Sequence, residues 1–200
     1  MSFNSLAFAV FLPIAWCVYW LFSARRRFQN ILLVLGSCIF YGWHDPKLVV
    51  LLVGLILWGY SWYPKCRLAL AVAIAGACAP LVYFNYTSQT VIVAIGFSFG
   101  VFQVVSYFVD VYLGRIERAR DVTAYFAYMA FFPQLLAGPI ERAENLYAQF
   151  MRQRTFDCAQ ATFGCRQFLW GLFVKCVVAD NCAEMANLYL NSEQVNGLAY

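Results

Sequence analysis

The sequence predicts an all-α integral membrane protein: a multi-span helical bundle of about five crossings, with a re-entrant segment and an interfacial amphipathic helix. Three observations predict it. Hydrophobic residues make up 63% of the 200 residues and charged residues only 12%, where a soluble domain carries about 25% charged residues. The apolar residues fall into long runs over about 3–22, 28–43, 47–63, 66–84, 89–112 and 122–140, joined by brief loops. Basic residues gather in alternate loops. An aromatic content of 19% and a mean hydropathy of +0.65 agree with this, since Trp and Tyr favour the headgroup region.

The first run is a retained helix rather than a signal peptide. No basic residue precedes it, and Arg25, Arg26 and Arg27 follow it, the reverse of a signal peptide's charge order. A helix needs roughly 20 apolar residues to cross a ~30 Å hydrocarbon core. The first and fifth runs meet that, while the second to fourth are short and need aromatic or basic ends to reach water. The odd-numbered loops hold Arg25–Arg27, Lys65 with Arg67, and Arg115, Arg118 with Arg120, against Lys47 alone on the other side. Eight basic residues against one put the N-terminus outside and the odd loops in the cytoplasm. The net charge of +4 is explained by this topology and gives no nucleic-acid signal, because the basic residues are spread over short loops. The whole of 1–200 reads as a single membrane unit.

The sixth run, 122–140, ends in the stretch Phe131 to Arg142, FFPQLLAGPIER. Pro133, Gly138 and Pro139 break helices, and non-helical backbone at membrane depth survives only where protein or a water-filled cavity covers it. A re-entrant hairpin over 122–140 keeps Arg142, Arg152 and Arg154 on the cytoplasmic side; a kinked crossing helix is the alternative. Residues 141–157 then read as an interfacial helix, with Leu146, Tyr147, Phe150 and Met151 on one face. The last run, Phe163–Ala179, carries Arg166 and Lys175 nine residues apart, on roughly opposite sides. That argues for a helix packed inside protein or lying partly in the interface.

Few residues suggest chemistry. Gly96–Gly100 fits G-x-S-x-G, but a nucleophile elbow needs a strand before it and a histidine after it. His44 is the one histidine and lies upstream, so a serine hydrolase is rejected. His44 beside Trp43 reads as a wet interfacial residue. The eight cysteines show no C-x-x-C pair, and no zinc site is expected. Asp110 sits near the cytoplasmic end of the fifth run, where an acid at depth is a functional candidate; anchoring near Arg115 explains it equally well. Gln103, seven residues earlier on the same face, could line a polar path with it.

Five stretches, taken together and in order, resemble the membrane-bound O-acyltransferase family, in its alginate-acetylating and teichoic acid D-alanylating branch. They are Ser2–Ser5 with Phe11-Leu12-Pro13; Phe40–Trp43 with Pro46-Lys47; Gly96–Phe99 through Phe102-Gln103 and Ser106-Tyr107 to Val109–Tyr112 and Gly114; Phe131–Leu135 with Ala137–Ile140; and Gly171–Lys175 with Ala179-Asp180. The resemblance implies transfer of an acyl or acetyl group across a bacterial inner membrane to a hydroxyl of an extracytoplasmic polysaccharide, as in alginate acetylation. It also implies an acyl-CoA or acyl carrier protein donor, no bound cofactor, and other subunits of an acetylation complex as partners beside membrane lipid. Gln103, Asp110, Gln134, Gly138 and Pro139 map onto the family's motifs and would shape a funnel or tunnel. No catalytic residue carries over, because the family's histidine region lies beyond Tyr200. The segment between Tyr60 and Gly96 is also shorter than the family's. Val195–Tyr200 reads as the start of another apolar segment, so the chain is expected to be the N-terminal portion of an enzyme and inactive alone. A non-catalytic membrane scaffold and a transporter-like component stay open as alternatives; a transporter would show a second, related half, and the sequence has none.

Overall fold

The computed structural model describes residues 5–22, 25–43, 46–87, 91–138 and 141–197. Among the described residues every regular element is helical. Helices α1 Leu6–Leu21, α2 Arg26–Gly42, α3 Pro46–Ser61, α4 Arg67–Thr87 and α5 Val91–Tyr112 follow the first five apolar runs. Pro46 opens α3, where its missing N–H would have no helical partner anyway.

Among the described residues no helix is both long enough and apolar enough to cross a membrane. The first three have 16, 17 and 16 residues, a rise of about 24–26 Å at 1.5 Å per residue, against a core of ~30 Å. Phe22, Trp43, Trp62 and Tyr63, counted in the apolar runs, lie beyond the helix ends.

Where the sequence reads as one continuous unit, the structure forms two compact units. The larger spans Phe11–Arg154, and the smaller joins the residues up to Val10 with those from Thr155 onward. The polar stretch 152–157 carries no helix.

Helix α5 is the axis of the larger unit, packing on α3 and α4. Small residues bring these helices close. Ala73 and Ala77 of α4 are fully buried, and Trp58 of α3 and Trp62, just past its end, reach over to donate from Nε1 to the carbonyls of Ala73 and Ala69, each at 3.1 Å. A Cβ on Gly76 would lie 2.4 Å from the Trp58 ring. Helix α5 ends in a Schellman turn: Gly114 N donates to Val111 O at 3.2 Å, and Arg115 N to Asp110 O at 2.9 Å. Gly114 has φ +70° and open space around its Cβ position. Gly114→Ala should therefore cost about 1–2 kcal/mol through backbone strain alone, and Gly114→Asn less, because Asn tolerates this region. Thermal unfolding midpoints in detergent check the order.

The sixth run is two short helices, α6 Val122–Met129 and α7 Phe132–Ala137, with the break at Ala130–Phe131. Pro133 helps begin α7, in its first turn, rather than ending a helix; proline fits there because no helical N–H is lost. The following α8, Ala143–Met151, is shorter than the helix expected over 141–157. Its apolar face is as expected only in part: Phe150 is buried, whereas Met151 is exposed. The chain is extended at Arg152, and the Asp157 carboxylate caps the next helix instead, accepting from Ala159 N at 2.9 Å.

In the smaller unit, α9 Cys158–Phe173 runs through a π-helical turn, Val174–Ala179, into α10 Asp180–Gly197. The run therefore continues past the expected end at Ala179. Helix α9 buries none of its side chains, and Arg166 and Lys175 are both exposed, so of the two expected settings, inside protein or partly in the interface, the first is not seen among the described residues. Lys175 pairs with Asp180, five residues on along the same helical rod.

Candidate functional site

Among the described residues six polar side chains are buried inside the larger unit: Gln29, Asn30 and Ser37 on α2, Gln103 and Asp110 on α5, and Gln134 on α7. Gln103 Nε2 donates to the carbonyl of Tyr128 at 3.1 Å, tying α5 to α6. Asp110 Oδ1 accepts from Arg115 Nη1 at 3.2 Å, and its Oδ2 is buried with no hydrogen-bond partner among the described residues. The contact with Arg115 fits the anchoring reading of Asp110, and the second carboxylate oxygen stays buried beside it. Gly138 closes α7, donating its N–H to Gln134 O at 2.9 Å. A Cβ on Gly138 would stand 2.8 Å from Gln134 Cα, so the turn is built for glycine. Pro139, like His44, lies outside the described residues.

Helix α2 was not among the sequence candidates, yet it carries half of this polar interior. Arg26, Gln29, Asn30, Leu33, Ser37 and Phe40 recur at helical spacing on one face. The opposite face exposes Ile31, Leu35 and Ile39. That stripe of polar residues through an apolar run was the available signal. Ser37 Oγ donates to Leu33 O at 2.8 Å and accepts from Phe132 N at 3.3 Å, which fixes the start of α7. Gln29 is fully buried, and neither atom of its amide finds a hydrogen-bond partner among the described residues.

Two arginines organise the end of the unit where α2 begins. Arg26 Nη2 donates to Asp121 Oδ2 at 2.7 Å, and Nη1 donates to the carbonyl of Met151. The segment between Asp121 and Met151 therefore leaves this end and comes back to it. Asp121 also caps α6, accepting from Thr123 N, Ala124 N and Thr123 Oγ1 at 3.0, 3.3 and 2.7 Å. Burial raises the Asp121 pKa, but these bonds and the Arg26 charge outweigh it and hold the carboxyl below its ordinary value. Arg154 Nη1 donates to Tyr19 Oη and Nη2 to Asn30 Oδ1, both at 2.9 Å. Beside it lies a cavity of about 380 Å³ lined by residues of α1, α2 and α8 and by Phe131, Phe132 and Pro133.

The chain is similar along its whole length to probable alginate O-acetylases AlgI. It is 31% identical to the protein of Pseudomonas putida, covering 48% of that relative. Identity is 30% to the Pseudomonas syringae pv. tomato protein and 32% to the Pseudomonas fluorescens protein, with 45% and 44% of each relative covered. These matches bear out the resemblance to the membrane-bound O-acyltransferases that the motifs carry. It spans about half the length of the curated relatives it matches. The match to the Pseudomonas putida member of the family runs over 238 positions, more than the 200 residues here, so that relative carries residues within the matched region that this chain lacks. No protein-family model matches the chain, and no solved structure matches it.

Proposed function

We propose that the chain forms the acyl-guiding part of a membrane-bound O-acyltransferase that acetylates an extracytoplasmic polysaccharide such as alginate. The observation that carries this is the similarity to alginate O-acetylases over all 200 residues. An acyl-CoA or acyl carrier protein on the cytoplasmic side supplies the acyl group, and a histidine outside these residues activates the acceptor hydroxyl. Gln103, Asp110, Gln134, Gly138 and Pro139 shape the path, and the α2 polar stripe borders it.

A bilayer setting is supported by the orientation of α2. It buries Gln29, Asn30 and Ser37 at 0% exposure and exposes Leu35 and Ile39 at 54% each, the opposite of what water selects. Lipid around the bundle accounts for this arrangement, with Asn30 and Ser37 hydrogen-bonded inside. The meeting of Asp121 and Met151 at Arg26 supports a re-entrant course for 122–140, with that basic end in the cytoplasm.

The test is a chimera in which these 200 residues replace the matched region of the Pseudomonas putida relative, expressed in an alginate-producing strain lacking its own acetylase. Acetyl esters per uronate residue are expected from the chimera and not from the 200 residues alone. A chimera that inserts in the inner membrane and adds no acetyl would overturn the proposal. In the chimera, Gly138→Ala should lower acetylation about tenfold or more, since displacing a positioning element by ~1 Å can cost on the order of 100-fold. Unchanged esters would remove the α7 turn from the path.

A further inference from the structure

The cavity beside Arg154 is an apolar slot with one fixed cation. Leu12, Trp16, Leu33, Phe132 and Leu146 form much of its wall. Arg154 is placed there by neutral groups. Asn30, fully buried, donates from Nδ2 to Phe150 O at 3.2 Å, which leaves its Oδ1 facing the guanidinium. Tyr19 Oη accepts a second bond, and the guanidinium carbon lies 5.0 Å from the Phe150 ring centroid and 5.8 Å from that of Tyr19. Among the described residues, the ion pairs join Arg26 to Asp121, Arg115 to Asp110, Arg120 to Glu117 and Lys175 to Asp180. No described carboxylate pairs with Arg154. A guanidinium has five N–H donors, so a charge and several donors stand ready at the edge of the slot.

The two halves of this site need one ligand with two parts. A soluble anion would leave the apolar walls uncovered, and a zwitterionic lipid would bring its own headgroup cation beside its phosphate and so offer Arg154 no net charge. An anionic phospholipid supplies both, its phosphate meeting Arg154 as a charge-assisted bidentate pair and an acyl chain filling the slot. We propose that this slot between α1, α2, α7 and α8 binds an anionic phospholipid, held by Arg154 at its headgroup. The inference rests on the bilayer setting proposed above. The bound lipid would brace α1 and the start of α7 against α8, beside the acyl path.

Native mass spectrometry of the delipidated chain in mild detergent, titrated with phosphatidylglycerol and phosphatidylcholine, tests it. Phosphatidylglycerol should bind on the order of tenfold more tightly, the size of one charge-assisted hydrogen bond. Arg154→Gln should abolish the preference and Arg154→Lys keep part of it. Arg152→Gln, at an exposed neighbour, should leave it intact. Ala15→Phe, which fills the slot from α1 while leaving Arg154 in place, should exclude both lipids, and it keeps the test decisive if Arg154→Gln fails to fold. Equal binding of the two lipids, a preference that survives Arg154→Gln, or lipid binding untouched by Ala15→Phe would overturn the proposal. Displacement of phosphatidylglycerol by inorganic phosphate at low millimolar concentration would reassign the site to a soluble anion and overturn it too. Carbonate-resistant membrane association and acetyl-ester content are read separately, so failure of the bilayer setting or of the transferase reading shows itself apart from failure of this site.

Discussion

Gly59→Ala is expected to destabilise the bundle by roughly 2–3 kcal/mol, near the upper end of the usual cost of overpacking. The added Cβ would stand 2.3 Å from Tyr125 Oη and 3.1 Å from Val104 Cγ1. Tyr125 cannot retreat, being fully buried with its ring 5.0 Å from that of Tyr107 and 5.5 Å from that of Tyr60. Its hydroxyl makes no hydrogen bond among the described residues. Tyr125→Phe alone should therefore be neutral or slightly stabilising, because a buried unpaired hydroxyl only adds a desolvation cost. In the Gly59→Ala background, Tyr125→Phe should recover most of the loss. Thermal midpoints of the two single variants and the double variant in detergent decide the matter, at about 2–4 °C per kcal/mol for a chain of this size. A Gly59→Ala protein as stable as its parent would mean that α3 and α6 do not approach so closely.

Asp121→Ala should cost roughly 2–3 kcal/mol near neutral pH, combining loss of a helix cap with loss of the charged partner of Arg26. Arg26 is only about a quarter exposed, at 27%, and Asp121 less, at 13%, so water restores little of what is removed. Asp121→Asn separates the two contributions, since asparagine still caps a helix but carries no charge. The pH dependence has a definite sign. The folded-state carboxyl ionises below its ordinary value of 3.8, so its stabilisation is complete above that value and fades as pH falls through the folded-state pKa. The stability gap between the parent and Asp121→Asn should be constant from pH 5 to 7 and close progressively below about pH 4. Urea unfolding followed by tryptophan fluorescence across that range measures it. A gap that persists at pH 2–3 would show that the charge on Asp121 does not hold α2 to the start of α6.

Much of the architecture was legible locally. Helix class and the shared face of Gln103 and Asp110 follow from residue type and spacing, because each depends on backbone chemistry within a turn or two. Helix ends were less legible. Asp157 at the end of the expected 141–157 helix caps α9 instead, a competition between neighbouring elements that periodicity alone does not resolve. The polar face of α2 was overlooked because hydropathy averages a run and hides three polar side chains within it.

The sequence by itself determined that this is a helical chain, where its apolar helices fall, and which family it resembles through the order of its motifs. Only the tertiary structure decided that Arg26 joins Asp121 to Met151, residues 95 and 125 positions away, and that Asn30 and Tyr19 set Arg154 beside an apolar slot. The physical reason is the reach of the interactions. Helix propensity and capping act over three or four residues along the chain, so they are written in consecutive letters. A half-buried arginine's partners are chosen by which helices pack together, and in an apolar run the inward face is set by where polar groups find one another rather than by hydrophobicity, which both faces share.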